Sequence, residues 1–264
     1  MISFVGAGPG APDLITLRGA SRLSMADIVI WASSLVPESL LVHANRDSER
    51  FDSAGMTLED VLTVFEAHPD AAIVRLHSGD PSIYGALQEQ VDWCVENERD
   101  FEIVPGVSSL AAAAATLERE LTIPGITQSV VVTRLAARTA SSMPPRESIA
   151  RFAATGCTIA VFLSAARPVA LQEALLEPPS AFTAETPVAI VIRASWPDQR
   201  VVRTTLGDLS DQLHSLGTTT TVLVLVGDAL DSRGLRSRLY SPAFAHSRRK
   251  RSVPGESRGR PAAS

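Results

Sequence analysis

Short apolar runs rich in Val and Ile alternate with longer segments of helical period along the first 230 residues. MISFV, ADIVIWA, AAIVRLHSGD and DFEIVPG predict strands, with helices between them around 15–25, 57–67, 83–97 and 107–117. A strand followed each time by a helix implies crossover connections, and hence an α/β domain with a mostly parallel sheet. A second set follows in SVVVTRL, TIAVFLSA, PVAIVIRAS, RVVRTTL and TTVLVLVGD, with helices near 146–155, 166–176 and 207–216. The expectation is two α/β domains with parallel or mixed sheets and an active-site cleft between them. They span 1–120 and 121–230 and join near LTIPGITQ at 121–128. At 264 residues and 45% hydrophobic content the chain can bury two cores.

Charge and composition narrow the chemistry. From residue 231 onward there are nine Lys and Arg against two Asp and Glu, whereas the first 230 residues hold 15 basic against 27 acidic side chains. An acidic body is a poor grip for nucleic acid, and the Arg-, Ser-, Gly- and Pro-rich segment 231–264 reads as a basic, disordered tail. Lys250 in that tail is the only lysine, so Schiff-base and P-loop lysines are excluded from the body, and any cation it needs is arginine. Cys94 and Cys157 are far apart without C-x-x-C spacing, and the five histidines show no local metal-ligand pairing, so no metal site is expected. No stretch reaches the roughly 18 apolar residues of a membrane span, and the first residues lack a signal-peptide pattern, so a cytoplasmic location is expected.

Three turns at strand ends carry the site. VGAGPGAPDLITLRG at 5–19 satisfies the G-x-G-x-x-[GA] spacing at Gly6, Gly8 and Ala11. A dinucleotide fingerprint also needs amide donors in the first helical turn and an acid after the next strand. Pro12 lacks the donor, and the next strand ends in Ala32 and Ser33. An NAD-dependent oxidoreductase therefore remains only a remote alternative. The second turn, HSGDPSIYGA at 77–86, combines Gly79, Asp80 before Pro81, and Gly85; helix N-capping is the plain reading of Asp80. The third, VPGVSSLAAAAA at 104–115, opens an alanine-rich helix with Ser108 and Ser109. Loops at the carboxyl ends of parallel strands gather into one crevice, which points to a small-molecule site.

These motifs, with PVAIVIRASWPDQ at 187–199, resemble the ordered motifs of the tetrapyrrole methylase family, S-adenosylmethionine-dependent enzymes of corrin and sirohaem synthesis. WASSLVPESLL, SAGMTLEDVL and ERELTIPG are similar to those members that methylate C11 of precorrin-4. The resemblance covers residues 1–229. It implies the tetrapyrrole methylase fold, a homodimer, a tetrapyrrole substrate, and S-adenosyl-L-methionine as methyl donor with S-adenosyl-L-homocysteine as product. Carried over, the donor site comprises Pro9, Ser78, Gly79, Asp80, Ile83, Ser108, Ser109, Leu163 and Ala194. Leu163 stands where relatives often have methionine. Sirohaem-forming relatives have a proton-accepting aspartate where this sequence reads Ala32, so no general base is named. A sister methylase acting on the cobalt-bearing substrate or at another ring carbon is the alternative, as is a binding module that only retains the cleft. The substrate's acetate and propionate arms call for arginine. Arg134 and Arg193 are the substrate-binding candidates, with Trp196 placed either to stack on the macrocycle or to pack at a domain seam.

Overall fold

The computed structural model describes residues 1–135, 142–235, 237, 239, 241, 242, 244, 245 and 247–249; Arg138 and the tail from 250 onward lie outside these described residues. The first sheet contains β1 (Ile2–Gly6), β2 (Ile28–Trp31), β3 (Glu49–Asp52), β4 (Ile73–His77) and β5 (Phe101–Val104) in the order β3-β2-β4-β1-β5. All its pairings are parallel, so all five carboxyl ends lie on one edge. Helix α1 (Leu17–Ser24) and a 3-10 segment, Glu38–His43, supply Leu23, Leu40 and Leu41 to the face carrying Val5, Val29, Val74 and Leu76. Helices α2 (Leu58–Ala67) and α3 (Gln88–Glu96) cover the opposite face, where Phe4, Ile30 and Ile73 meet Val61, Phe65 and Cys94. Burial on both faces is why β2 is a continuous apolar run and β1 is interrupted before Gly6 only by Ser3, whose hydroxyl donates to Glu102 at 2.8 Å.

Two elements differ from the sequence-based expectation. β3, with the sequence ERFD, has three exposed residues out of four and so carries no apolar run; it is a charged edge strand, the usual protection of an open edge. The turn after His77 thus closes the fourth strand in the chain, not the third. Helix α3 starts at Gln88 and not at 83, because Tyr84 and Ala86 hold φ of 55° and 47°, outside the helical region. Asp80 consequently caps no helix.

The second sheet contains β6 (Val130–Arg134), β7 (Thr158–Phe162), β8 (Pro187–Ile192), β9 (Arg200–Thr205) and β10 (Val222–Val226), ordered β6-β7-β10-β8-β9. Only β6 and β7 pair in parallel; the other three pairings are antiparallel, so this sheet is mixed. One face packs on α5 (Ile149–Ala153), α6 (Pro168–Leu176) and α7 (Leu209–Ser215). The other receives α4 (Ser109–Thr116), whose Ala112 and Ala113 lie against Ala160, Ala189, Val191, Leu223 and Leu225. Small side chains let this helix approach the sheet closely. Since α4 follows directly from the β5 loop, that loop is anchored to the second sheet. The start of the basic segment folds back on the junction: Arg119 donates to the Ser232 carbonyl at 3.2 Å and the Leu235 amide to that of Pro124 at 2.8 Å.

Candidate functional site

The loops after β1, β4 and β5, the three adjacent strands at one side of the first sheet, meet main chain to main chain. Gly8 and Gly79 exchange two hydrogen bonds, 3.2 Å and 2.8 Å, in an isolated antiparallel bridge. A Cβ on Gly106 would stand 2.1 Å from the Gly79 carbonyl oxygen, and one on Gly6 2.5 Å from Gly106 Cα. Only glycine permits this approach. Asp80 ties the second loop to the third: its Oδ2 accepts from the Gly106 amide at 2.8 Å, and its Oδ1 accepts from the amide and hydroxyl of Ser82. Burial pulls this carboxyl upward, but the bonds from Ser82 and Gly106 outweigh it and hold it below the usual carboxylate range.

Beneath the second loop, the His77 ring donates from Nδ1 to the Gly85 carbonyl at 3.0 Å. Burial, then the charge of Arg75, pushes His77 down to about 4. It is neutral at pH 7 and serves as a strut for the turn. Burial likewise lowers Arg75 to about 10; its guanidinium donates to Ser53 Oγ at 2.8 Å and is paired with no carboxylate among the described residues.

The first loop is gripped by the second domain. The Ala11 amide donates to Ser195 Oγ at 3.0 Å and Trp196 Nε1 donates to the Pro9 carbonyl at 2.9 Å, with the indole lying where a Cβ on Gly10 would be. The G-x-G-x-x-A turn is therefore a docking surface for a neighbouring loop. Pro12 opens a 3-10 turn, Pro12–Leu14, and α1 starts only at Leu17, capped by Thr16. No helix N-terminus points from this turn toward a phosphate. Tyr84 and Phe162, 5.5 Å between ring centroids, make a second clasp between the domains.

Between these clasps lies a cavity of about 300 Å³, within the range of small-molecule sites. Its walls include Pro9, Ser78, Gly79, Asp80, Ile83, Ser108 and Ser109 from the first-sheet loops, and Leu163 and Ala194 from the ends of β7 and β8. All nine positions carried over from the motifs are thereby brought together. Sequence reasoning missed Leu35, Phe162, Val191 and the segment Thr219–Leu223 and placed Tyr84 only beside a motif loop; with Arg193 these complete the walls. The Thr segment carries no motif signal; Leu35 lies within WASSLVPESLL and Tyr84 within HSGDPSIYGA, but neither stretch marks which of its residues faces the cavity, and Phe162 is legible only as the end of a strand. Among eight described non-glycine residues with positive φ, four line this cavity: Tyr84, Leu163, Arg193 and Thr221. Such backbone strain concentrates at ligand sites, where surrounding structure enforces it.

The substrate candidates fall differently. Arg193 is a cavity wall, ion-paired with Asp198 and 5.4 Å from the Trp196 ring centroid. Trp196 is not among the wall residues and occupies the seam. Arg134 lies outside the wall set and donates to Ser142 Oγ at 2.7 Å. Among the described residues no group of three or more His, Cys, Asp or Glu is arranged to hold a metal ion.

A two-sheet molecule with a cavity walled by glycine-rich strand-end loops is the architecture of a family of methyl-transferring enzymes, and residues 1–210 match the family model of the Tetrapyrrole (Corrin/Porphyrin) Methylases. The chain belongs to that family. It is 42% identical over 248 residues to a precorrin-4 C(11)-methyltransferase of Mycobacterium tuberculosis, covering 92% of this chain and 96% of the relative. The solved structure of a cobalt precorrin-4 methyltransferase of cobalamin biosynthesis superimposes with a TM-score of 0.82 at 40% identity, over 88% of this chain and 96% of the other. Uroporphyrin-III C-methyl transferase from Thermus thermophilus, solved with S-adenosyl homocysteine, matches at a TM-score of 0.71 and 27% identity, over 87% and 98% of the two chains.

Proposed function

We propose that this chain transfers a methyl group from S-adenosyl-L-methionine to C11 of precorrin-4, with or without a central cobalt, giving precorrin-5 and S-adenosyl-L-homocysteine in corrin synthesis. The observation that carries this reading is the convergence of nine motif residues, drawn from five separate segments, on one cavity. Relatives named for this reaction at about 40% identity over nearly the whole chain support the substrate.

The residues present fit such a donor. Main-chain groups of the Pro9, Ser78–Gly79 and Ser108–Ser109 loops supply polar contacts at one end. Phe162, Leu163, Val191 and Ala194 offer an apolar floor for a flat base at the other. When bound, the donor supplies an activated sulfonium methyl. The chain's task is to align it with a nucleophilic ring carbon in a cleft poor in water. Asp80, saturated by Gly106 and Ser82, is no proton acceptor; its work is to keep the loops in register. Arg193 at the cavity wall takes a carboxylate arm of the substrate, exchanging its Asp198 partner for it. The chain works as a homodimer in the cytoplasm. No helix among the described residues is long and apolar enough to cross a membrane.

Calorimetric titration with S-adenosyl-L-homocysteine and separately with NAD tests the cleft; binding of the first alone is expected. Conversion of precorrin-4 to a product heavier by one methyl group, with the methyl located at C11 by NMR, tests the reaction. Binding of NAD alone overturns the reading.

A further inference from the structure

Thr221 combines two unfavourable features at the cavity wall. It stands directly before β10 with φ of 52°, a left-handed conformation in which a β-branched residue is an outlier. Its Oγ1 is buried and has no hydrogen-bond partner among the described residues. A buried hydroxyl without a partner is destabilising, and glycine would hold the same backbone with neither penalty. Neither the strand nor the core therefore accounts for a threonine here.

Its surroundings show what the hydroxyl is for. β10 lies between β7 and β8, and all three strands turn into left-handed backbone where they meet the cavity: Leu163 after β7 at 54°, Arg193 after β8 at 49°, and Thr221 before β10. The Arg193 amide donates to the Thr221 carbonyl at 2.8 Å, so the main chain of Thr221 extends the ladder while its side chain stays out of it. The side chains of Phe162, Leu163, Val191, Ala194, Val222 and Leu223 at this end of the cavity are apolar. Thr219 and Thr220 are exposed, and Arg193 is engaged by Asp198. A flat base laid on such a floor is held by its faces but loses water from its edge, where each ring nitrogen left without a partner is destabilising.

Resting on the methyl-donor reading, we propose that the Thr221 hydroxyl donates a hydrogen bond to a ring nitrogen of the donor's adenine and makes this end of the cavity selective for that base. The left-handed backbone aims the side chain, and the O–H rotates to meet the acceptor. One contact then satisfies two groups that are otherwise unpaired inside the cavity, the hydroxyl of the protein and the nitrogen of the base. Backbone strain kept at a ligand site belongs to the same arrangement.

The test compares Thr221→Val, which keeps the β-branch and removes the hydroxyl, and Thr221→Ser, which keeps the hydroxyl, with the wild-type protein. The probes are S-adenosyl-L-homocysteine and three deaza analogues of it, each with one adenine ring nitrogen replaced by C–H, titrated by calorimetry. The thermal midpoint of each ligand-free protein is measured beside them. Thr221→Val is expected to bind the homocysteine product about 10-fold more weakly, while Thr221→Ser stays within about 3-fold of wild type. One analogue binds the wild type more weakly by a similar factor, yet binds Thr221→Val no worse than the parent compound does, which identifies the nitrogen. Ligand-free Thr221→Val melts at or above the wild-type midpoint, because it has lost an unsatisfied hydroxyl. A lower midpoint together with equal losses of affinity for all four compounds marks a merely structural residue and overturns the assignment. So does a Thr221→Val affinity for the homocysteine product within about 2-fold of wild type. In that case the wild type still binds and the methyl-donor reading stands; a wild-type protein that binds none of the four compounds overturns that reading and this assignment together.

Discussion

Trp196 Nε1 donates to the Pro9 carbonyl at 2.9 Å across 187 residues of sequence, joining the second domain to the first strand-end loop. Because Pro9 is also a cavity wall, this bond positions the site without taking part in it. Trp196→Phe keeps the ring against Gly10 and removes the donor. The expected result is about 1 kcal/mol of lost stability, the worth of one hydrogen bond, and a several-fold weaker affinity for S-adenosyl-L-homocysteine by titration calorimetry.

The glycines separate into those the fold needs and those it tolerates. Gly106→Ala brings a methyl to 2.1 Å from the Gly79 carbonyl oxygen, a contact between two backbones that no side-chain rotation relieves. Gly55→Ala meets nothing within 4 Å. Urea unfolding should show a loss of about 3 kcal/mol or more for the first and under about 0.5 kcal/mol for the second. Similar values for the two variants would mean the three loops are not locked together.

His77 makes the protein acid-sensitive in a defined window. Its folded pKa is about 4 against an ordinary 6.5, so between these values the unfolded chain binds a proton that the folded one refuses. Stability therefore falls as pH drops from 6.5 to 4 and this contribution is flat below, with a total on the order of 3 kcal/mol. The difference between wild type and His77→Leu, measured by urea unfolding at pH 7 and pH 4.5, should shrink at the lower pH. A difference independent of pH would refute the assignment.

Arg193 stands at the cavity wall with Asp198 and the Trp196 ring as partners. If it takes a carboxylate arm, Arg193→Ala should raise KM for the tetrapyrrole by about 10-fold or more, the worth of a charge-assisted contact, with a much smaller change for the methyl donor. Equal changes in both constants would reduce Arg193 to a support for Trp196.

The β10 run VLVLV was legible because burial on both faces demands an unbroken apolar sequence, and β1 because Ser3 is the one interruption of its run before Gly6. β3 was not, since an exposed edge strand needs polar residues and looks like a loop. The start of α3 was misplaced because Tyr84 and Ala86 are held in left-handed geometry by surrounding contacts that no propensity scale contains. The nine positions carried over for a methyl donor came from motif resemblance, and what holds their loops on one cavity, a mesh of main-chain contacts between Gly6, Gly8, Gly79 and Gly106, became visible only in three dimensions.

The paired hydrogen bonds between Gly8 and Gly79 lock two strand-end loops beside the cavity through amides and carbonyls, groups that every residue type but proline possesses in full. A frame tied together by main chain is shielded from most point mutations, so side chains around it can diverge while the pocket keeps its shape. Its failures are abrupt and fall on a few positions, where a glycine gains a Cβ or Asp80 loses its grip on the neighbouring loop.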